Sequence, residues 1–532
     1  VLSILLLTPT PCLLVNLLME CIPLADPATG FQGSFHFQMR HFIAGVLVAA
    51  MPLSVKLDCI PDLPVRSWTI ALAYAFTHAV VAIGSNAVVA VCTGVFPVPF
   101  AQFAPTVPLA IVGGTLNHFF LQTPATKERV EKLDQWAAMD VVPIFVYPIF
   151  MAVFITLQPT RQLWLSLLLP VIKRFIRQMV WRILQRDLDL VGATACTVSH
   201  LYHVLFTVMC LQNAKSLETL TAIVLVNVLQ MLLNCRDVLN DAARLQRSRT
   251  ELANAAIVLA EDAVSAALQL ADGPLLKRLH NKSPSRVIST YPGYQRVEFM
   301  ARSHGLLKTD ETSAPTAAAA PRTGFFRTNP RRQSNHRSLL SAESLTKQTT
   351  PPISLGATQT FPLPTRGIGQ FVVPTAQAAA RSQTLPAIPP TRDHSRLRES
   401  FIGSLTSALQ QTETILLRSY ITIFVLGLYG IYLVVVFWLP NRKYFATMAS
   451  ATTLSSMISH LLLLGGMEVL FLVMYLVLIQ RRLGVSGAQQ LAFVLSTQRV
   501  LIQAKFLTLT LMILGFPLQH YGNGIIFKLR TG

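Results

Sequence analysis

The sequence predicts an all-α protein: a polytopic transmembrane helical bundle of about ten spans, interrupted by a long, disordered, basic linker. Three observations carry that prediction. Charged residues make up only 13% of the 532-residue chain, about half the share of an ordinary soluble domain. Uncharged apolar runs of roughly span length recur toward both ends of the chain. Between them, residues 275–400 are rich in Ser, Thr, Pro, Ala and Arg with little periodicity. Such a segment cannot bury enough apolar surface to offset chain entropy.

Apolar runs occur at 2–19, 42–57, 68–95, 103–121, 141–158, 190–211 and 217–235, and resume at 420–439, 455–480 and 490–516. Backbone groups must be paired internally in lipid, so helices are the expected form of each run. The 42–57 run is short, and Pro105 and Pro108 interrupt the fourth, so either can be re-entrant or tilted. The chain starts at Val1 directly in an apolar run, which reads equally as a first span or a signal segment. The expected organisation is an N-terminal transmembrane bundle over 1–235, a polar-faced cytosolic helix over 236–272, the linker over 273–400, and a C-terminal transmembrane bundle over 401–532. Periodic apolar positions with charges of both signs mark the second of these, which projects from the last span before the linker. No repeat of the inverted kind found in many transporters is visible.

The segment 170–187, "PVIKRFIRQMVWRILQRD", is expected to lie in a headgroup layer. Ile172, Phe175, Ile176, Met179, Val180 and Ile183 form its apolar face, and Lys173, Arg174, Arg177, Arg182 and Arg186 are placed on the opposite, membrane-surface arc. A soluble amphipathic helix packed on its own bundle is the alternative.

Net charge is +19, unevenly spread: 18 basic and 6 acidic residues lie between Pro274 and Ser400. No basic fold with interleaved aromatics accompanies the surplus, which argues against nucleic acid. The expected partners are the lipid bilayer and the anionic lipids of the inner leaflet. Basic residues near span ends favour the cytosol. The 170–187 helix, Arg236–Arg249, the linker and Arg481–Arg482 then share one side, with the linker cytosolic and the protein integral to the plasma membrane or an endomembrane. The seven cysteines form no compact framework and read as free, mostly buried thiols.

Chemistry-bearing residues are few. In "CTVSHLYHVLFTVMC" (196–210), Cys196, His200, His203, Thr207 and Cys210 fall within a stripe about 80° wide on a regular helix. Sulfur and imidazole suit zinc or copper. One straight helix cannot converge four ligands, so other spans would have to contribute, with His78, His118 and Glu468 as candidates. Passage of a proton or solute, and simple helix packing through buried polar residues, are the alternatives. Neither a metal nor a cofactor is assigned. Glu468, in "LLLLGGMEVLFLVMYLVLIQ", sits near mid-span, where a carboxylate costs several kcal/mol unless paired or neutralised. It is either a functional acid or a hydrogen-bonding strut, and Gly465 and Gly466 permit close helix approach in both cases. Asn86, Asn117 and Asn227 read as helix-to-helix hydrogen bonders.

The linker carries "RRQS" (331–334), a basophilic kinase pattern with Ser334 as acceptor. "RSQTLP" (381–386) fits a phospho-dependent adaptor pattern with Thr384 as acceptor, and "PAIPPTR" (386–392) a proline-reading domain. Phosphate adds about −2 charge, enough to weaken a basic linker's contact with anionic lipid. Phosphate loops, dinucleotide fingerprints, nucleophile elbows, kinase signatures and the zincin motif are all missing from the sequence. An ATP-driven pump or familiar membrane hydrolase is therefore not expected.

Several stretches resemble a family of multi-pass membrane proteins associated with oomycetes: "FPVPF" (96–100), "LPVIK" (169–173), "CLQNAKSLET" (210–219), and "AFVLSTQRVLIQAKFLTLTLMILGFPLQHYGNGIIF" (492–527). The resemblance covers both bundles and not the linker. Family members often carry acidic or aromatic residues after the terminal "HYG", where this chain has Asn523 and Gly524. The resemblance implies a multi-pass membrane fold and carries no activity. Together these readings lead to a transporter, channel or sensor of a small solute or ion with a phosphorylation-regulated linker. The alternative is a membrane-anchored scaffold recruiting cytosolic partners through that linker. A membrane-embedded enzyme would need a convergent polar cluster, which sequence cannot demonstrate.

Overall fold

The computed structural model describes residues 8–60, 67–98, 104–121, 126–184, 196–212, 217–255, 263–270, 392–445 and 450–514, with isolated residues between them. The described residues are helical, with no strand and one isolated antiparallel bridge, Phe445 to Leu518. In chain order the helices are α1 (Thr10–Glu20), α2 (Phe35–Cys59), α3 (Trp68–Thr93), α4 (Thr106–Phe120), α5 (Lys127–Ala138), α6 (Val141–Thr156), α7 (Pro159–Ser166) and α8 (Leu169–Leu184). A π-helical turn (Thr197–Leu201) leads into α9 (Tyr202–Gln212), followed by α10 (Leu217–Asn254) and α11 (Ala263–Leu270). After the linker come α12 (Arg392–Trp438), α13 (Ala451–Leu483), α14 (Gly487–Thr497) and α15 (Arg499–Leu514). The phosphorylation candidates Ser334 and Thr384, and the basic Arg186, lie outside the described residues.

Six helical segments are long and apolar enough to cross a membrane: Phe35–Cys59, Trp68–Thr93, Lys127–Phe154, Thr221–Asn254, His394–Trp438 and Ala451–Leu483. Three of the other apolar runs form shorter helices among the described residues. The run at 103–121 starts its helix only after Pro105, because proline disfavours helix at the preceding residue. The run at 490–516 breaks between Thr497 and Arg499 into α14 and α15. Among its described residues, the first run is helical over Thr10–Glu20, directly after Pro9. Two helices are instead longer than the apolar runs within them. The span at 217–235 continues without a break through the polar-faced segment to Asn254, and α12 begins at Arg392.

Apolar side chains face outward on the long helices. In Ala451–Leu483 only 22% of the most apolar stretch is buried, and in Thr221–Asn254 only 11%. Leu225, Leu229, Leu232 and Leu233 of α10 and Leu462, Leu463 and Leu470 of α13 are exposed. A water-soluble protein rarely exposes apolar area on this scale, whereas a bilayer is the solvent that makes it favourable. These six helices fit an integral membrane protein.

Helices before and after the linker form one compact unit. The long helix α12 packs on α10 and α13 and touches α1, α9 and the π-helical turn, while α15 packs on α2. Helices α2 and α3 approach closely at Gly45, where an added Cβ would stand 3.1 Å from the Ala79 Cα, the small-residue contact expected between membrane helices.

Among the described residues, three ion pairs built on buried cations fasten this unit. Arg40 of α2 donates to Glu20 of α1 through both terminal nitrogens, one bond at 2.7 Å, and Tyr432 of α12 donates to the same carboxylate at 2.7 Å. Lys56 of α2 pairs with Asp134 of α5 at 2.5 Å, with Asn117 and Tyr74 completing that network. Lys505 of α15 lies 2.7 Å from Asp140, donates to the Trp136 carbonyl at 3.0 Å and sits over the Trp136 ring.

Candidate functional site

A fourth charged cluster differs from those three in its balance of charge. Lys173 on α8, Arg418 on α12 and Glu468 on α13 act on one another electrostatically, with Arg177 at the edge of the group. Within the described residues, neither cation has a carboxylate at ion-pair distance. Lys173, only 6% exposed, donates to the neutral Gln230 of α10 at 3.1 Å. Glu413, also buried on α12, lies about 140° around that helix from Arg418.

Backbone geometry explains why these groups meet. The Cys196–His200 turn runs along one face of α12: the Cys196 thiol donates to the Thr414 carbonyl at 3.3 Å, and His200 Nε2 hydrogen-bonds the Thr422 hydroxyl. Arg418 stands between these contacts, four residues from each, so it shares their face. On α10, Gln230 and Asn234 are four residues apart; the second donates to the Tyr475 hydroxyl of α13 at 3.1 Å. Glu468 lies seven residues before Tyr475, on the same side of α13. Five helical elements therefore contribute to one polar neighbourhood, and two of them follow the linker.

A small cleft adjoins it. Pro170 of α8, His203 of α9 and Asn227 of α10 line the cleft together with Ser166 and Thr207. Each of the first three is three residues from a cluster member on its own element: Lys173, His200 and Gln230. The cleft thus opens about one helical turn, roughly 4.5 Å of rise, from the cluster. His203 and Thr207 are buried, and their Nδ1 and Oγ1 atoms have no hydrogen-bond partner among the described residues. Asn227, Gln230 and Asn234 form the inner face of α10, opposite its exposed leucines.

The structure divides the residues singled out in the sequence. All five members of the 196–210 stripe are buried. Cys196 and His200 bond to α12, and the Cys210 thiol contacts Met151 of α6. Those three do helix-packing work, while His203 and Thr207 face the cleft. Glu468 joins the same cluster. His78 does not: its ring packs on Tyr74 at 4.4 Å and lies against Gly113, beside the Lys56 network. His118 is exposed on α4. No group of three His, Cys, Asp or Glu among the described residues is placed to hold a metal.

Comparison with family models, curated proteins and solved structures found no match to the chain. The site is therefore read from its own residues.

One placement corrects the sequence reading. Lys173 is buried, whereas Arg174, Arg177 and Arg182 are exposed. Lys173 stands at i, i+3 and i+7 with Ile176 and Val180, both fully buried, so helical periodicity puts it on the apolar face. Arg418 was not singled out at all. The available signal was a lone cation in "TETILLRSYITIFVLGLYG" (412–430), just before an uncharged run. The π-helical turn at Thr197–Leu201 was equally invisible, although such turns concentrate at functional sites.

Proposed function

We propose that this integral membrane protein moves or senses a small solute or ion at the cluster formed by Glu468, Lys173, Arg418 and His200, entered past His203. The observation that carries this reading is the convergence of charged groups from both sides of the linker beside a cleft whose lining includes His203 and Thr207, each with a buried polar atom unpartnered among the described residues. Intramembrane ionisable groups are costly and are kept where they bind, relay or gate. Pure helix glue would set each buried cation against a carboxylate, as in the three ion pairs elsewhere.

The linker is proposed to face the cytosol. α10 runs toward it, α12 runs away from it, and the hairpin at Pro440–Tyr444 returns α13 to the same end. Arg236, Arg244, Arg247, Arg249, Arg396, Arg398, Arg481 and Arg482 gather there, against Arg442 and Lys443 at the hairpin, the asymmetry the positive-inside rule describes. Crossings number between the six long helices and the ten apolar runs. Arg174, Arg177 and Arg182 meet anionic headgroups, and phosphorylation at Ser334 or Thr384 regulates the linker or recruits an adaptor. Kinship with the oomycete-associated membrane family remains part of this proposal.

Reconstituted liposomes test it with labelled sodium, potassium, chloride and phosphate and with a proton-sensitive dye. Wild-type protein is expected to pass at least one of these, and Glu468→Gln or His203→Ala to abolish that flux while remaining folded and inserted. Wild-type flux unchanged in both variants would remove the site assignment; no flux of any probe would remove transport.

A further inference from the structure

The charge balance of the cluster goes further than its existence. This inference rests on the solute-handling reading above and names the chemistry of the solute. Two basic side chains, Lys173 and Arg418, and one acid, Glu468, influence one another electrostatically within the bundle. Besides Lys173, the buried cations among the described residues are Lys56, Arg40 and Lys505, and each holds a carboxylate within ion-pair distance. Where counter-charge is needed only structurally, this protein supplies it from a side chain. Among the described residues, Lys173 and Arg418 have no carboxylate within ion-pair distance.

We propose that the missing counter-charge is a small oxyanion, a carboxylate, sulfate or phosphate, bound between the Arg418 guanidinium and the Lys173 ammonium. The guanidinium is planar, stays charged, and presents a donor fork that matches two oxygens of one oxyanion. Lys173 adds a point charge and further donors. His203 and Thr207 line the cleft beside the cluster, and their buried Nδ1 and Oγ1 atoms have no hydrogen-bond partner among the described residues. A hydroxyl can donate to an entering anion, and so can the imidazole in the right tautomer. Glu468 stands opposite as a like charge, which limits residence of the anion and keeps the site from becoming a permanent ion pair. Its neutralisation by a proton would strengthen binding.

The test uses the full chain in detergent. Sulfate, phosphate and acetate are titrated at constant ionic strength against chloride, and the thermal unfolding midpoint is followed. At least one of the three is expected to raise the midpoint saturably. Arg418→Gln is expected to weaken that response about ten- to a hundred-fold, the worth of a hydrogen-bonded charge contact. Arg418→Lys keeps the charge without the fork and should fall between, which also guards against a folding defect in the glutamine variant. Arg482→Gln removes an exposed positive charge and should leave the response intact. The proposal is overturned if no probe acts on the wild type, or if Arg418→Gln and Arg482→Gln respond alike. Saturable oxyanion binding without flux would remove the transport reading and keep this site. Flux indifferent to Arg418 and to all three probes would do the reverse.

Discussion

Asp140→Ala is expected to destabilise the protein by about 3–5 kcal/mol, because it strands a buried ammonium. Lys505 is 1% exposed and holds Asp140 at 2.7 Å, and this pair joins α15, near the end of the described chain, to the α5–α6 segment. The Trp136 carbonyl and ring would remain as neutral partners for Lys505, which cannot balance a full charge in a low dielectric. The measurement is thermal unfolding of the purified protein in detergent, where the midpoint should fall by several degrees. A paired replacement, Asp140→Leu with Lys505→Met, should recover much of the loss. Replacing both members by apolar groups of similar volume removes two desolvation penalties as well as one attraction. A midpoint unchanged in Asp140→Ala would show that the pair is not buried as described.

Glu20→Ala is expected to cost a similar amount, about 3–5 kcal/mol, for the same physical reason. Its carboxylate is 1% exposed and accepts hydrogen bonds from Arg40 and Tyr432. The surrounding backbone depends on the same place: the Asn441 side chain donates to the carbonyls of Glu20 and Ile22 and accepts from the Leu24 amide. Removing the carboxylate leaves the Arg40 guanidinium buried and the Tyr432 hydroxyl with only the longer contact to the Leu514 carbonyl at 3.4 Å. Glu20→Gln keeps an acceptor for Tyr432 and should lose less than the alanine variant. Equal losses in the two variants would contradict a role for the hydroxyl contact.

Much of this architecture was legible in the sequence because membrane helices announce themselves by length and apolarity. The six long helices coincide with apolar runs that composition alone marks out. Glu468 was legible for a related reason, since a lone acid inside such a run carries a cost that demands explanation. The partners of these charges were not legible. Glu20 and Arg40, Lys56 and Asp134, and Asp140 and Lys505 are separated by 20 to 365 residues, and only the folded bundle shows which cation meets which acid. Lys173 was placed on the basic arc among its arginine neighbours, though its register with Ile176 and Val180 pointed inward. The stripe at 196–210 was read on a regular helix, while the π-helical turn alters its phase midway. Its members then divide between bonds to α12 and the cleft, a division periodicity alone cannot make.

The central claim is that the bundle turns leucines to lipid and keeps water, or a water-borne solute, at the polar face of α10. Cysteine accessibility in the membrane-inserted protein tests this most directly, using Asn227→Cys in the cleft and Leu229→Cys on the exposed face, in a background without reactive native cysteines. A small water-soluble thiol reagent is expected to label position 227 and to leave position 229 unmodified. Labelling at 229 with protection at 227 would contradict the account, because α10 would then face water with its leucines and bury its polar side dry.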